Sequence, residues 1–206
     1  MQVAEHFRSG EQVADQHQQA TVMHLELDGF GEVSRQLGPV NAAIKLQTLL
    51  DQFDSDAERY VVQPVNSAGT AYIAVCGLDS ARLDHGKRTI DFSVAAVNVI
   101  LKYNVENGTQ LSVRIGVASG PVTSAVIGGR RFKFGLWGDT VDSARAIRNH
   151  AHANTVLVTH DVYERVKSHY DFQVDRQLEI GSQLIETHEL VPDALSSKPA
   201  AQESSS

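Results

Sequence analysis

The 206-residue sequence predicts an α/β fold, more strictly α+β, in which helices pack on one mixed or antiparallel sheet. Three observations carry that expectation. Strand-like and helix-like segments alternate through the first half. Hairpin-like pairs interrupt the alternation, so the sheet is not purely parallel. The hydrophobic content is 42%, enough for one sizeable core.

Residues 1–20 are polar and rich in Gln and His, and read as a helix or a linker. TVMHLELD then alternates, with Val22, His24, Glu26 and Asp28 on one face and Met23, Leu25 and Leu27 on the other. Gly29 ends this strand, and the chain turns helical at Phe30. The next helix carries Val40, Ile44, Leu46, Leu49, Leu50 and Phe53 as a broad apolar stripe. YVVQPVNSAGTAYIAVCGL reads as two strands joined by a turn at Ser67–Gly69, with Pro64 marking an edge or an irregularity. TIDFSVAAVNVILKY is an apolar helix. LSVRIGVASGPVTSAVIGG reads as strand, Gly-Pro turn, strand, and RFKFGLW as a further strand. GDTVDSARAIRNHA is a helix, NTVLVT a strand, HDVYERVKSHY a helix, and FQVDR and IETHELV are closing strands. The tail from 193 to 206 is poor in apolar residues and is expected to be disordered.

The formal net charge is −7, which argues against a nucleic-acid surface, since phosphate binding needs a basic patch. No run is long and apolar enough for a transmembrane helix, and the first residues lack the apolar region of a signal peptide. The single cysteine, Cys76, lies in an apolar run and reads as a buried small hydrophobe. It cannot form an intramolecular disulfide, which fits a reducing, cytoplasmic setting.

FGLWGDTVDSARAIR, residues 134–148, has a local reading that needs no function. Asp139 can cap the helix, with Asp142 completing a box-like pair. Val141, Ala144 and Ile147 share an apolar face, and Trp137 reads as a core anchor.

Five segments taken in order say more. VADQHQQATVMHLELDGFGEVS, VNSAGTAYIAVCGL, RIGVASGPVTSAVIGG, FGLWGDTVDSARAI and TVLVT together resemble the class III nucleotidyl cyclase catalytic domain, over roughly residues 10–190. The resemblance implies a ferredoxin-like βαββαβ core with additional strands. It implies a head-to-tail homodimer, or a heterodimer with another cyclase-type chain, with shared sites at the interface. There the ribose 3′-oxygen of ATP or GTP would attack the α-phosphate, assisted by two Mg²⁺ or Mn²⁺ ions. It divides the chain into a linker or transducer-like segment (1–20), a cyclase-homology domain (21–192) and the tail (193–206). The leading segment resembles the run before the catalytic core in cyclases fed by upstream sensors, which makes the chain a cytoplasmic output domain.

The family's site residues carry over incompletely. Its first metal aspartate falls on Glu26, one methylene longer and less suited to the octahedral geometry of Mg²⁺. Asp28, on the same face, either serves as a substitute ligand or simply begins the turn at Gly29. The second metal aspartate falls on Thr70, a neutral hydroxyl. The two base-reading positions fall on Asn66, which can hydrogen-bond either base and so discriminates neither, and on Gly135, which has no side chain. The catalytic asparagine falls on Asp142 and the transition-state arginine on Ala146. Arg145 and Arg148 are near, but helix geometry points them elsewhere. Arg130 falls where some members place a phosphate-contacting arginine. The scaffold positions Gly29-Phe30, Gly69, Gly120-Pro121 and Gly138-Asp139 are intact.

Both halves of the shared site are thus altered, so a complementing partner does not easily restore it. The resemblance implies a degenerate cyclase-homology domain acting as a regulatory or dimerisation module. The alternative is a divergent active cyclase that uses Glu26 and Asp28 as ligands and Arg130 or Arg148 as the cation. A diguanylate cyclase or polymerase palm fits less well, because arginines stand in GGRRF where the acids of that signature belong.

Overall fold

The alternation in TVMHLELD builds the central strand of the molecule. The structure, a computed structural model, describes residues 14–78, 82–127, 133–180 and 183–190. In chain order it contains β1 (Ala14–Asp28), α1 (Phe30–Leu37), α2 (Pro39–Tyr60), β2 (Gln63–Ala68), β3 (Ala71–Cys76), α3 (His85–Asn107) and β4 (Ser112–Ile127). These are followed by β5 (Lys133–Trp137), α4 (Asp139–Arg148), β6 (Thr155–Thr159), α5 (His160–Val166), β7 (Phe172–Ile180) and β8 (Gln183–Leu190). The tail from 193 to 206 lies outside the described residues, as does Arg130.

The eight strands form one sheet in the order β2-β3-β1-β4-β6-β8-β7, with β5 paired to β4. The β4–β6 pair is parallel and the others are antiparallel. The sheet is therefore mixed, as the interleaved hairpins require. Its first four strands, with α2 and α3 as crossovers, make the ferredoxin-like βαββαβ core.

The two faces of β1 feed different layers, as its alternation requires. Met23, Leu25 and Leu27 join Phe53 of α2, Ile90, Phe92 and Ile100 of α3, and Val162 and Val166 of α5 in the main core. On the other face Val22 packs with Val75, Ala118, Val122, Val141 and Ala144 under α4. Burying such aliphatic side chains contributes roughly 1.5–3 kcal/mol each. Cys76 is buried, as expected, and burial pushes its thiol up.

Several local expectations are corrected. Residues 14–20 are strand rather than helix or linker, because they pair with the outer half of β4 from Ala14↔Ala125 onward. Gly120-Pro121 is no turn. β4 runs straight through it, and β1 shifts register between His17 and Ala20 opposite the proline, which has no N–H to donate. The β2–β3 turn lies at Gly69-Thr70, with Ala68 paired to Ala71. Pro64 sits on the edge strand beside an irregularity, as read. Val40 and Ile44 are 72% and 60% exposed, so the apolar stripe of α2 is buried only in its C-terminal part, through Leu49 and Phe53. Gly138, not Asp139, precedes the first turn of α4, and no side chain caps it. Trp137 is 43% exposed and anchors no core.

No helix among the described residues is long and apolar enough to cross a membrane. Among the described glycines, Gly116 leaves the least room for a Cβ, at the seat of α4 on the sheet. A Cβ at Gly116 of β4 would lie 2.2 Å from the Ala144 carbonyl oxygen and 2.6 Å from the Arg148 amide. Only a hydrogen at this position lets helix backbone rest on strand backbone. Gly116→Ala should therefore overpack the seat and destabilise the domain by about 1–3 kcal/mol or more. Urea denaturation followed by circular dichroism checks this.

Candidate nucleotide site

Glu26, Asp28 and Thr70 converge where β1 ends, beside the β2–β3 hairpin and the C-terminus of α4. Glu26 and Asp28 lie on the α4 side of β1, as the alternation predicts. Thr70 occupies the hairpin turn, which the Leu27 N–H pins by donating to the Thr70 carbonyl at 2.9 Å. Its hydroxyl donates to Glu26 Oε1 at 2.6 Å. Arg148, the last residue of α4, forms an ion pair with the other Glu26 oxygen. The pair is well sheltered, with side chains 12% and 23% exposed for Arg148 and Glu26.

Asp28 is held separately. Arg114 of β4 grips it with two bonds, Nε to Oδ2 at 2.6 Å and Nη2 to Oδ1 at 2.9 Å. Arg114 is the register partner of Glu26, so its guanidinium reaches diagonally along the strand to Asp28. This bidentate bond raises the Arg114 pKa further. Asn149 joins the two pairs: Arg148 donates to its Oδ1 at 2.7 Å, and Arg114 to its carbonyl at 3.5 Å. The result is a chain Thr70–Glu26–Arg148–Asn149–Arg114–Asp28.

His24 lies beneath this chain, 4% exposed. Burial first, then the positive charges of Arg148 and Arg145, lower its pKa to about 4. Its Nδ1 has no hydrogen-bond partner among the described residues.

The remaining family positions lie along β5 and α4. Gly135 is covered by the indole of Trp137 two residues on, and a Cβ there would lie 2.7 Å from the ring. A base-reading side chain at 135 would have to displace the indole. Asp142 is exposed in the first turn of α4, 3.4 Å from Arg145. Ala146 is partly buried and offers no polar atom. Asn66 lies in β2, paired with Ile73, with its side chain outside the described residues. The N-terminus of α4 is clamped to β4 opposite the β1 register shift, where the Thr140 hydroxyl donates to the Pro121 carbonyl at 2.7 Å.

The fold and this arrangement define a class III nucleotidyl cyclase catalytic domain. The chain belongs to the adenylate and guanylate cyclase catalytic domain family, whose sequence profile matches residues 12–191. It is 29% identical over 170 residues to an adenylate cyclase of Mycobacterium tuberculosis, covering 82% of this chain and 38% of that protein. It is 30% identical over 165 residues to the aggregation-specific adenylate cyclase of Dictyostelium discoideum, covering 79% of this chain and 11% of that protein. The chain thus spans well under half the length of these relatives. Among solved structures, the catalytic core of a rhodopsin-guanylyl cyclase with converted specificity, in complex with ATPαS, superposes with a TM-score of 0.80. That structure is 26% identical, covering 86% of this chain and 97% of its own. A non-canonical dimeric guanylyl cyclase domain from Blastocladiella emersonii gives a TM-score of 0.79 at 26% identity, covering 86% of this chain and 98% of its own.

Class III cyclases generally use Mg²⁺ or Mn²⁺. The donor set here is a poor match for such ions. Both oxygens of Glu26 are engaged, one by the Thr70 hydroxyl and one by a guanidinium, and both oxygens of Asp28 are bonded to Arg114. A divalent cation would have to displace two arginines and sit beside their charge.

Two predictions follow from the geometry. Arg148→Ala leaves Glu26 without its cation and should cost about 1–3 kcal/mol. The double mutant with Glu26→Gln should be less destabilised than the sum of the singles, measured as a coupling energy by urea denaturation. For His24, the folded pKa lies below the unfolded one, so the unfolded chain binds more protons between the two. Stability is then complete above about pH 6.5 and declines as pH falls toward about 4. His24→Gln should flatten part of that slope in thermal melts recorded across this window.

Proposed function

We propose that this chain is a cyclase-homology domain without cyclase activity, a regulatory and dimerisation module in cyclic-nucleotide or intracellular signalling. One observation carries the reading: the Arg148 guanidinium lies on Glu26, with Thr70 donating to the same carboxylate, so an internal cation is paired with the carboxylate that the resemblance assigns to a metal. Ala146 adds a second argument. Catalysis of phosphoryl transfer depends on a cation placed against the developing charge, and its loss costs orders of magnitude in rate. The indole over Gly135 supports loss of base reading.

The scaffold that remains suits assembly rather than chemistry. The Gly69 turn, the Gly120-Pro121 irregularity and the seat of α4 are all formed. The dimeric neighbour from Blastocladiella emersonii supports a paired arrangement. We assign the partner to a second copy or another cyclase-type chain, in a cytoplasmic setting and downstream of a sensory part. Any nucleotide bound is ATP or GTP, held without turnover.

The second reading, a divergent active cyclase, draws on the relatives, which bear adenylate and guanylate cyclase names. It requires Arg148 to leave Glu26 when a metal arrives. One experiment separates the two. The purified chain, with its oligomeric state measured, is given ATP or GTP with excess Mn²⁺, and cyclic nucleotide and pyrophosphate are quantified. The expected result is no product at ordinary enzyme rates of about 1–10³ s⁻¹. Turnover in that range, abolished by Glu26→Ala, overturns the proposal.

A further inference from the structure

At the far end of β6 from Glu26, on the α5 face of the sheet, three potential ligands converge. His160 opens α5 directly after β6, and Glu186 and His188 alternate on one face of β8. They are the one group of three or more His, Cys, Asp or Glu side chains among the described residues whose donor atoms gather closely enough to hold a metal ion. His160 Nδ1 lies 3.2 Å from His188 Nε2. Glu186 Oε1 lies 3.3 Å from His188 Nε2 and 3.7 Å from His160 Nδ1.

We propose that His160, His188 and Glu186 form a site for a zinc-class divalent transition-metal ion. The spacing is the first argument. Ligands bound at 2.0–2.1 Å around a tetrahedral ion lie about 3.3–3.4 Å from one another, and the three observed separations bracket that value. The second argument is the count of lone pairs. Two facing imidazole nitrogens share one proton between them, which leaves the nearby carboxylate oxygen without a matching donor. A single cation satisfies all three atoms. The third is the donor chemistry, since two imidazoles and a carboxylate suit a borderline-soft ion such as Zn²⁺ better than Mg²⁺.

The surroundings orient the ligands. The Tyr163 ring stacks flat on His188, with centroids 3.9 Å apart and planes 8° apart. His188 is 3% exposed, whereas His160 opens to solvent, which gives the ion an entry path. Glu164 Oε1 stands 3.9 Å from His160 Nε2, the nitrogen facing away from the site, in the place of an outer carboxylate. Lys167 holds Glu164 at 2.7 Å. Three protein ligands leave the fourth tetrahedral position for water. Bound there, the ion ties the start of α5 to β8. The site is independent of the carboxylates near α4, and the inference does not rest on the function proposed for them.

The test uses the untagged full chain, metal-stripped and then titrated with Zn²⁺ by calorimetry and with Co²⁺ by visible absorption. The expected result is one equivalent per chain with the intense absorption of tetrahedral Co²⁺. At roughly a hundredfold excess of Zn²⁺ over Kd, Tm should rise by about 5–10 °C. His160→Ala and Glu186→Gln change exposed or half-buried side chains, so both should fold, as circular dichroism would verify. Each should weaken binding at least about 10–100-fold, the loss typical even of residues that only orient a ligand. Absence of stoichiometric binding overturns the proposal. So does binding that both variants leave unchanged, which would place the metal on other histidines.

Discussion

Everything on the α4 side of the molecule depends on one steric constraint, the contact of helix backbone with strand backbone at Gly116. Because a hydrogen occupies that position, α4 lies flush on β4, and its last residue hangs over the end of β1. Arg148 then reaches Glu26 without stretching. A second clamp, Thr140 on the Pro121 carbonyl, holds the other end of the helix. Between them the apolar residues Val141, Ala144 and Ile147 are wholly covered. The ion pair is thus a consequence of packing, and its geometry is prepaid by the core beneath it.

The electrostatics follow from that placement. Two carboxylates on one strand face, Glu26 and Asp28, repel each other unless cations stand nearby. Here two arginines from different elements, Arg148 of α4 and Arg114 of β4, supply those cations from within the chain. Because both guanidiniums are carried by packed elements, they stay beside the carboxylates. His24 lies beside them, and burial first, then the nearby Arg148 and Arg145, keep it neutral over the ordinary pH range.

The fold was legible in the sequence where periodicity was strong. The alternation of β1, the apolar face of α4 and the edge position marked by Pro64 all reappear as read. The failures were of kinds that local pattern does not encode. Gly120-Pro121 looks like a turn in isolation, and only pairing with β1 turns it into an irregularity within one long strand. Residues 14–20 have little to bury, yet they extend the strand because β4 offers them a backbone partner. Trp137 looked like a core residue by type, but the edge position of β5 leaves its ring over Gly135 rather than under the sheet.

The candidate site divides in the same way. Motif order singles out Glu26, Thr70, Gly135, Asp142 and Ala146, and the structure brings the Glu26 and Thr70 side chains together. The cations around these carboxylates were not legible. Arg114 lies far from Asp28 in sequence and sits on a strand where alternation alone gives its face, not its partner. Arg148 was visible as a nearby cation, and helix geometry correctly turned it away from the Ala146 direction, but its target required the seat at Gly116. An absent side chain can be read from a motif. The interaction that replaces it depends on how two elements pack, and the glycine that permits the packing is itself a residue without a side chain. The two carboxylates at the end of β1 are thus neutralised by cations that packing alone delivers, Arg148 through the seat at Gly116 and Arg114 through the β1–β4 register.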